Sequence, residues 1–366
     1  MDGHEEREYL YWLCHVPALG AVKIKKLYDY IGSYKGIYNI EGKELEQSGL
    51  LKQTEASLFE EMKRKKDACR SELAQLENRG IHFVTPYDKE YPKRLLAIYG
   101  CPMGIFYKGK LPEDVRPAVS IIGARNCTNY GKQMASYLAR ELSGAGIQII
   151  SGLAWGIDGA GHQGALDAGG DTYGVLGCGI NICYPRENYG LYERMAVQGG
   201  ILTEFMPDEA PKPCNFPMRN RIISGLSDGI LVIEAREKSG SLITANLGLD
   251  QGKEIFALPG RVTDPLSTGC NRLISEGAGI LLGPDSVLEY FNLLSGNILR
   301  VHEKDKNGLV KKEKMVYSCL DLHPMNLDKI ISLSGLSAGD CMSVLLELEL
   351  KGCVVQTSHQ YYGKKL

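Results

Sequence analysis

The sequence predicts an α/β protein: a parallel sheet layered with helices, set between a helical N-terminal unit and a small C-terminal winged helix. Three observations carry that reading. From about residue 117 short apolar runs alternate with Gly-rich turns and helical stretches, as a parallel sheet with crossover helices requires. Before them apolar residues recur at helical spacing, and after about Asn292 a charged run, VHEKDKNGLVKKEK, interrupts the pattern as a linker does.

The N-terminal unit, residues 1–100, is predicted helical because Leu10, Leu13, Val16, Leu19, Ile24 and Leu27 follow a helical period, broken at Pro17 and Gly20. Within it HVPALGAVKIKKLYDYIGSYKGIYNI looks like a helix-hairpin-helix unit, whose Gly turn would offer backbone N–H groups to a phosphate beside Lys23, Lys25 and Lys26. A helical bundle that only packs against its neighbour fits the same residues. In the sheet domain, residues 101–295, strands are expected at 119–122, 147–150, 173–176, 230–233, 254–258 and 280–282. Their bounding glycines fall mostly at the C-terminal ends, the edge where an open parallel sheet binds ligands. Residues 296–313 read as the linker, and 314–366 as three short helices followed by a small β-wing. The last of those helices, SAGDCMSVLLELELK, carries Asp340, Glu347 and Glu349 against one Lys. A helix that reads the major groove presents Arg, Lys, Asn or Gln instead, so partner contact or autoregulation fits it better.

Composition narrows the function classes. At 366 residues the chain is too long for one ordinary core, and its 44% hydrophobic and 23% charged residues are those of a folded soluble protein. A net charge of −2 gives no global attraction to a polyanion, so any nucleic-acid contact must come from locally clustered Arg and Lys. The 11 cysteines form no C-x-x-C pair, which suits reduced thiols in a cytoplasm. An acidic start, MDGHEEREYL, and the lack of an apolar run of bilayer length point away from secretion and membranes. The 7 histidines are dispersed, and neither a metal nor a cofactor is expected.

The chemistry concentrates at strand ends. The first expected strand runs into SIIGARNCTNYG, where Arg125 stands at the second glycine of a dinucleotide fingerprint and Gly123 at the first. That disfavours NAD or FAD, whose pyrophosphate needs the absent side chain. The second strand ends in Ser151 and Gly152, without the carboxylate that would hold a ribose. An Arg fork beside a helix start suits a phosphodiester; pairing with an internal carboxylate is the alternative. In SGLAWGIDGAGHQGALDAGG, Asp158 reads either as a general base or, preferably, as a helix-start residue that fixes its loop. His162 reads as a phosphate contact or, more ordinarily, as a packed residue, and Trp155 as a base-stacking or a core aromatic. FPMRNRIISGLS sets Arg219, Asn220 and Arg221 at what reads as the beginning of a helix, converging on one anion. In EAREKSGSLITANLG, Ser239, Gly240, Ser241 and Thr244 supply hydroxyl and backbone donors for another phosphate.

Taken in order, GARNCTNYG, SGLAWGIDGAGHQGAL, GCGINICYPREN, FPMRNRIISGLS, EAREKSGSLITA, ALPGRV and GCNRLISEGA resemble the pattern of the DprA/Smf family of DNA-processing proteins. The similarity spans about residues 119–278, and both flanking units look like the family's. It implies a Rossmann-like fold between a helix-hairpin-helix/SAM-like domain and a winged helix. It also implies binding of single-stranded DNA, homodimerisation, protection of incoming strands, and loading of the RecA recombinase during natural transformation and homologous recombination. Position by position, the family's DNA pocket implicates Gly123 and Arg125 in GARN, Ser151 and Gly152 in SGLA, Arg219, Asn220 and Arg221 in FPMRNR, and the turn Ser239, Gly240, Ser241 to Thr244. Trp155 departs from the family, which commonly has a basic residue there; that puts a cationic contact in doubt and leaves stacking as the alternative to it. The stretch 271–282 is implied in self-association, although its Leu and Ile residues also suit a core.

A non-catalytic DNA-binding protein is therefore expected. Its rival is a nucleotide N-glycosidase with a similar strand-end Arg and Gly-rich loop; that chemistry needs a carboxylate after the loop, and SGSLITANLG has none until Asp250. A third reading, a sensor of a small nucleotide, shares the same pocket.

Overall fold

A computed structural model describes residues 3–293, 311–320, 324–358 and 360–364. Residues 296–310 of the expected linker lie outside the described residues. The N-terminal unit holds helices α1 (Gly3–Cys14), α2 (Ala21–Ile31), α3 (Tyr34–Asn39), α4 (Gly42–Gln47), α5 (Gln53–Lys63) and α6 (Lys66–Leu76). Strands β1 (His82–Val84), β2 (Ile105–Gly109), β3 (Ala118–Ile122), β4 (Gln148–Ser151), β5 (Thr172–Val175), β6 (Gly200–Thr203), β7 (Gly229–Val232), β8 (Glu254–Ala257) and β9 (Gly279–Ile280) form one sheet. Its crossovers are α7 (Asn129–Gly144), α8 (Ile157–Asp167), α9 (Tyr189–Gln198), α10 (Asn215–Leu226), α11 (Gly240–Asp250) and α12 (Thr268–Ser275), followed by α13 (Pro284–Tyr290).

All six expected strands are present within a residue or two. Three others were not expected: β1, β2 and β6 are short, and β1 lies inside the stretch read as wholly helical to residue 100. The strand order is β1-β2-β6-β5-β4-β3-β7-β8-β9; the pairs β1–β2 and β2–β6 are antiparallel and every other pair is parallel. The chain thus winds outward from β3 to β6, then returns to β7 on the other flank of β3. Beyond the C-terminal ends of β3 and β7 lies the crevice where such a reversal leaves room for a ligand.

Both faces of the central strands are covered, which is why they read as unbroken apolar runs. Val119 and Ile121 pack on Met134, Leu138 and Leu142 of α7, while Ala118 and Ile122 face Ile222 and Ile223 of α10 and Ala245 of α11. A further core joins the helical unit to the sheet edge: Trp12 and Phe59 share it with Phe83 of β1, Phe106 of β2 and Ile201 of β6. Replacing a buried aromatic such as Trp12 by Ala costs about 3–5 kcal/mol, so the helical unit is anchored rather than appended. Its lysines are partly spent: Lys23 pairs with Glu55, and Lys25 with Asp29 at 2.9 Å. That favours the packing reading of the hairpin over a phosphate site.

The C-terminal unit is a winged helix: α14 (Lys311–Cys319), α15 (Leu327–Ser334) and α16 (Ala338–Leu350), with strands β10 (Met325–Asn326), β11 (Val354–Ser358) and β12 (Tyr361–Lys364) in the order β10-β12-β11. Val316, Ile330, Val344, Leu345 and Leu348 form its core. Among the described residues no single helix is long and apolar enough to cross a membrane.

Candidate nucleic-acid interface

At the crevice between β3 and β7 lies a cavity of about 720 Å³. The loop after β3 contributes Gly123 and Arg125, the first turn of α8 Asp158, helix α10 Phe216, Arg219 and Asn220, and the segment after β7 Arg236, Lys238, Ser239, Gly240, Ser241 and Thr244. Four cationic side chains, Arg125, Arg219, Arg236 and Lys238, face one carboxylate, so this edge is electropositive although the chain as a whole is not. A second cavity of about 280 Å³ adjoins it, lined by Gly152, Trp155, Tyr184, Glu187 and, again, Arg125 and Arg219.

Arg125 is exposed and has no carboxylate partner among the described residues; its guanidinium lies 5.4 Å from the centre of the Phe216 ring. The internal-pair alternative is thereby set aside, and the planar fork is presented outward. Two loops meet behind it. Gly156 has φ 86°, and a Cβ there would sit 2.3 Å from the Arg125 carbonyl and 2.4 Å from that of Ala124. Only glycine lets the GARN and SGLAWG loops touch. Leu153 in the same loop also adopts a positive φ of 54° while fully buried, a strained conformation of the kind found at ligand sites.

At the segment after β7, Ser239 caps α11: its Oγ accepts from the Ser241 N–H at 3.3 Å, and the two hydroxyls lie 2.6 Å apart. Gly240 is exposed with open space where a side chain would be, and Thr244 closes the turn from below, buried. A helix N-terminus with hydroxyls and without bulk is thus directed at the cavity.

Three expected contacts are placed differently. Arg219 is buried, and its Nη1 donates to the carbonyls of Gly152 (2.8 Å) and Val175. Gly152 must lack a side chain, because a Cβ would lie 2.3 Å from that guanidinium. Burial pushes the Arg219 guanidinium down to about 10 and the Asp158 carboxyl up, and each opposes the other's neutralisation. Arg219 therefore ties two strand ends together at the cavity floor; its Nε alone is buried with no partner among the described residues. Arg221 does not reach the cavity. Helix α10 begins at Asn215, so Arg219 and Arg221 sit within it, and residues two apart point about 200° away from each other at 3.6 residues per turn. Arg221 instead pairs with half-buried Glu204 at 2.5 Å. Ser151 is also withdrawn: fully buried, it donates its hydroxyl to the Ile121 carbonyl at 2.6 Å.

Asp158 takes the helix-start role. Its Oδ2 accepts from the Gly152 N–H at 3.2 Å, holding the loop against α8. His162 is a packed residue with both nitrogens assigned: Nε2 accepts from the Leu153 N–H (3.3 Å), and Nδ1 donates to Thr172 Oγ1 (2.7 Å), which donates to the Ile149 carbonyl. Burial holds its pKa down at about 3, so the ring stays neutral. Trp155 is 45% exposed, a surface aromatic rather than a core one. Arg236, Lys238, Phe216 and Tyr184 were not singled out from the sequence, although basic residues just before a Ser-Gly turn at a strand end were a usable signal.

Residues 82–292 match the family described as DNA recombination-mediator protein A, and residues 302–358 match the DprA winged helix domain. The chain is 35% identical to protein Smf of Escherichia coli over 333 residues, 88% of this chain and 87% of that one. It is 43% identical to DNA processing protein DprA of Bacillus subtilis over 218 residues, 59% of this chain and 73% of that one. The structure of DprA from Streptococcus pneumoniae superposes with a TM-score of 0.69 at 33% identity, covering 77% of this chain and 97% of that one. DNA processing protein A from Helicobacter pylori, described by its single-stranded DNA binding mode, gives 0.52 at 30% identity, covering 58% and 96%. With one family match across more than half of its length and relatives aligned nearly end to end, the chain belongs to the DprA/Smf family.

Proposed function

We propose that this protein binds single-stranded DNA without cleaving it, with the phosphate backbone lying along the crevice between β3 and β7. The observation that carries the reading is the exposed, unpaired Arg125 fork opposite the N-terminus of α11, in a cavity with four cationic side chains. Arg125, Arg236, Lys238, Asn220 and the turn Ser239, Gly240, Ser241 to Thr244 are the contacts. Gly123, Ser151, Gly152 and Arg219 hold the loops that present them. The Helicobacter pylori relative, described by its binding of single strands, supports the same substrate. Against the glycosidase reading stands Asp158, the one carboxylate of the larger cavity, which is buried and engaged with its own loop.

By family, the protein would act in the cytoplasm, protect incoming strands and load RecA during transformation and recombination. A homodimer through the sheet domain fits the far edge, where Ile280 of β9 is 50% exposed and Leu282 79%. Fluorescence anisotropy with single-stranded and duplex oligonucleotides of equal length, beside a nucleoside monophosphate hydrolysis assay, tests the proposal. Tighter single-strand binding without hydrolysis is expected. Equal or tighter duplex binding overturns the substrate, and turnover overturns the non-catalytic reading.

A further inference from the structure

A cavity of about 390 Å³ lies where the helical unit meets the edge of the sheet, between α1, α6 and β1. Strand β1 ends the strand order, five strand spacings or about 24 Å from β3, so this cavity is separate from the crevice. Leu73 and Leu76 of α6 and Phe83 of β1 give it apolar walls. Its charged groups are Arg7 and Glu8 of α1, Arg70 of α6, and Glu77 just beyond α6. Glu8 and Arg70 pair at 3.1 Å. Arg7 is half-buried and has no carboxylate partner among the described residues. Its Nη2 donates to the Phe83 carbonyl, which fixes the head beside the open edge of β1, and its Nε is buried with no partner among the described residues.

A guanidinium held in an apolar groove costs free energy unless an anion meets it. The Phe83 carbonyl accepts a hydrogen bond from Arg7 but brings no charge to balance it. Glu8 and Glu77 make the same walls unfavourable to a doubly charged phosphate or a nucleic-acid backbone, and a single carboxylate suits them better. A chain end would carry its own backbone N–H groups against apolar walls, whereas a carboxylate on a side-chain stem leaves the backbone outside. The volume falls within the range of ligand sites, ~300–1,000 Å³, so apolar side chains beside that carboxylate also find room. We propose that this groove binds an acidic segment of a partner protein, a Glu or Asp flanked by apolar residues. The carboxylate meets Arg7, and the flanking side chains pack on Leu73, Leu76 and Phe83. The site does not depend on the phosphate reading of the crevice, and its distance from β3 lets a partner and a strand be held together.

Arg7 reports on its own occupancy, because the NMR signal of a buried, unpartnered Nε–H shifts when an acceptor arrives. Titrating the full chain with acetyl-Leu-Glu-Leu-amide should shift the Arg7 Nε–H signal to saturation. Acetyl-Leu-Gln-Leu-amide keeps the shape without the charge, and calorimetry should find it about tenfold or more weaker. Arg7→Ala should lose the same affinity. Because Arg7 also holds Phe83, a second variant leaves it in place: Ala74→Trp, at an exposed position on the groove wall, should exclude the peptide by filling the groove. Both variants should bind single-stranded oligonucleotides as the wild type does, and the peptide should not displace a bound strand. Equal binding of the Glu and Gln peptides, or wild-type peptide affinity in Arg7→Ala or Ala74→Trp, overturns the proposal. Acetate or inorganic phosphate that binds as tightly as the Glu peptide overturns the peptide reading, and so does acetyl-Leu-Gln-Leu with a free C-terminal carboxylate if it matches that peptide. A shift of the Arg7 signal on deleting residues 311–366, without any peptide, assigns the groove to the chain's own α16, whose Leu346, Glu347 and Leu350 are exposed, and overturns an outside partner.

Discussion

Arg125 and Arg219 line the same cavity yet do different work, because one is exposed and unpaired and the other is buried and bound to carbonyls. Arg125→Ala should weaken single-strand binding by about 1 kcal/mol or more and flatten the dependence of affinity on salt, with unfolding unchanged. Lys at that position should restore only part, since an ammonium keeps the charge and loses the fork. Anisotropy at several salt concentrations measures both effects. Arg221→Ala should do the reverse. It strands Glu204, a carboxylate that burial already pushes up, and should cost stability on the order of 3 kcal/mol in denaturant unfolding, with the salt slope of DNA binding retained. His162 makes stability depend on pH. Its folded pKa of about 3 lies below the ordinary 6.5, so the unfolded chain binds a proton that the folded one refuses. Stability is fully present above pH 6.5 and falls toward pH 3 by up to about 1.4 kcal/mol per pH unit. His162→Gln should flatten that limb in unfolding curves; an unchanged limb assigns it to other groups.

At the scale of elements, the parallel strands were legible because burial on both faces leaves an unbroken apolar signature, as in AVSII of β3 and GILV of β7. Strands β1, β2 and β6 are no shorter than several that were legible, and they are strands because they pair with one another and with β5 at one edge of the sheet. Helix α10 was misplaced at its start: Cys214 at its N-cap offers no side-chain cap, so nothing local marks Asn215 as the first residue. The winged helix presents Met342, Leu346 and Glu347 from the exposed side of α16. Such a face lacks the donors that read bases, so deleting residues 307–366 should leave most single-strand affinity in place. If the shortened chain folds but binds as weakly as Arg125→Ala, the winged helix contacts DNA.

Across the whole molecule, a homodimer joined near β9 would let one strand span two cavities, raising affinity through effective concentration without a new contact. Affinity should then rise steeply over a narrow range of oligonucleotide length. Sedimentation as a monomer with a smooth length dependence counts against it. The positions of Gly123, Arg125 and the Ser239 turn at sheet ends were set by local chemistry, since strand, Gly-rich turn and helix are each encoded within a few neighbouring residues. Which arginine faces the strand was not. Arg219 and Arg221 stand in one motif with the same charge, and only Glu204, beyond β6, and the carbonyls of Gly152 and Val175 divert them from solvent. Those partners lie far apart in the chain and meet through the strand order, so burial and pairing, properties of the assembled sheet, separated the residues that hold the site from those that present it.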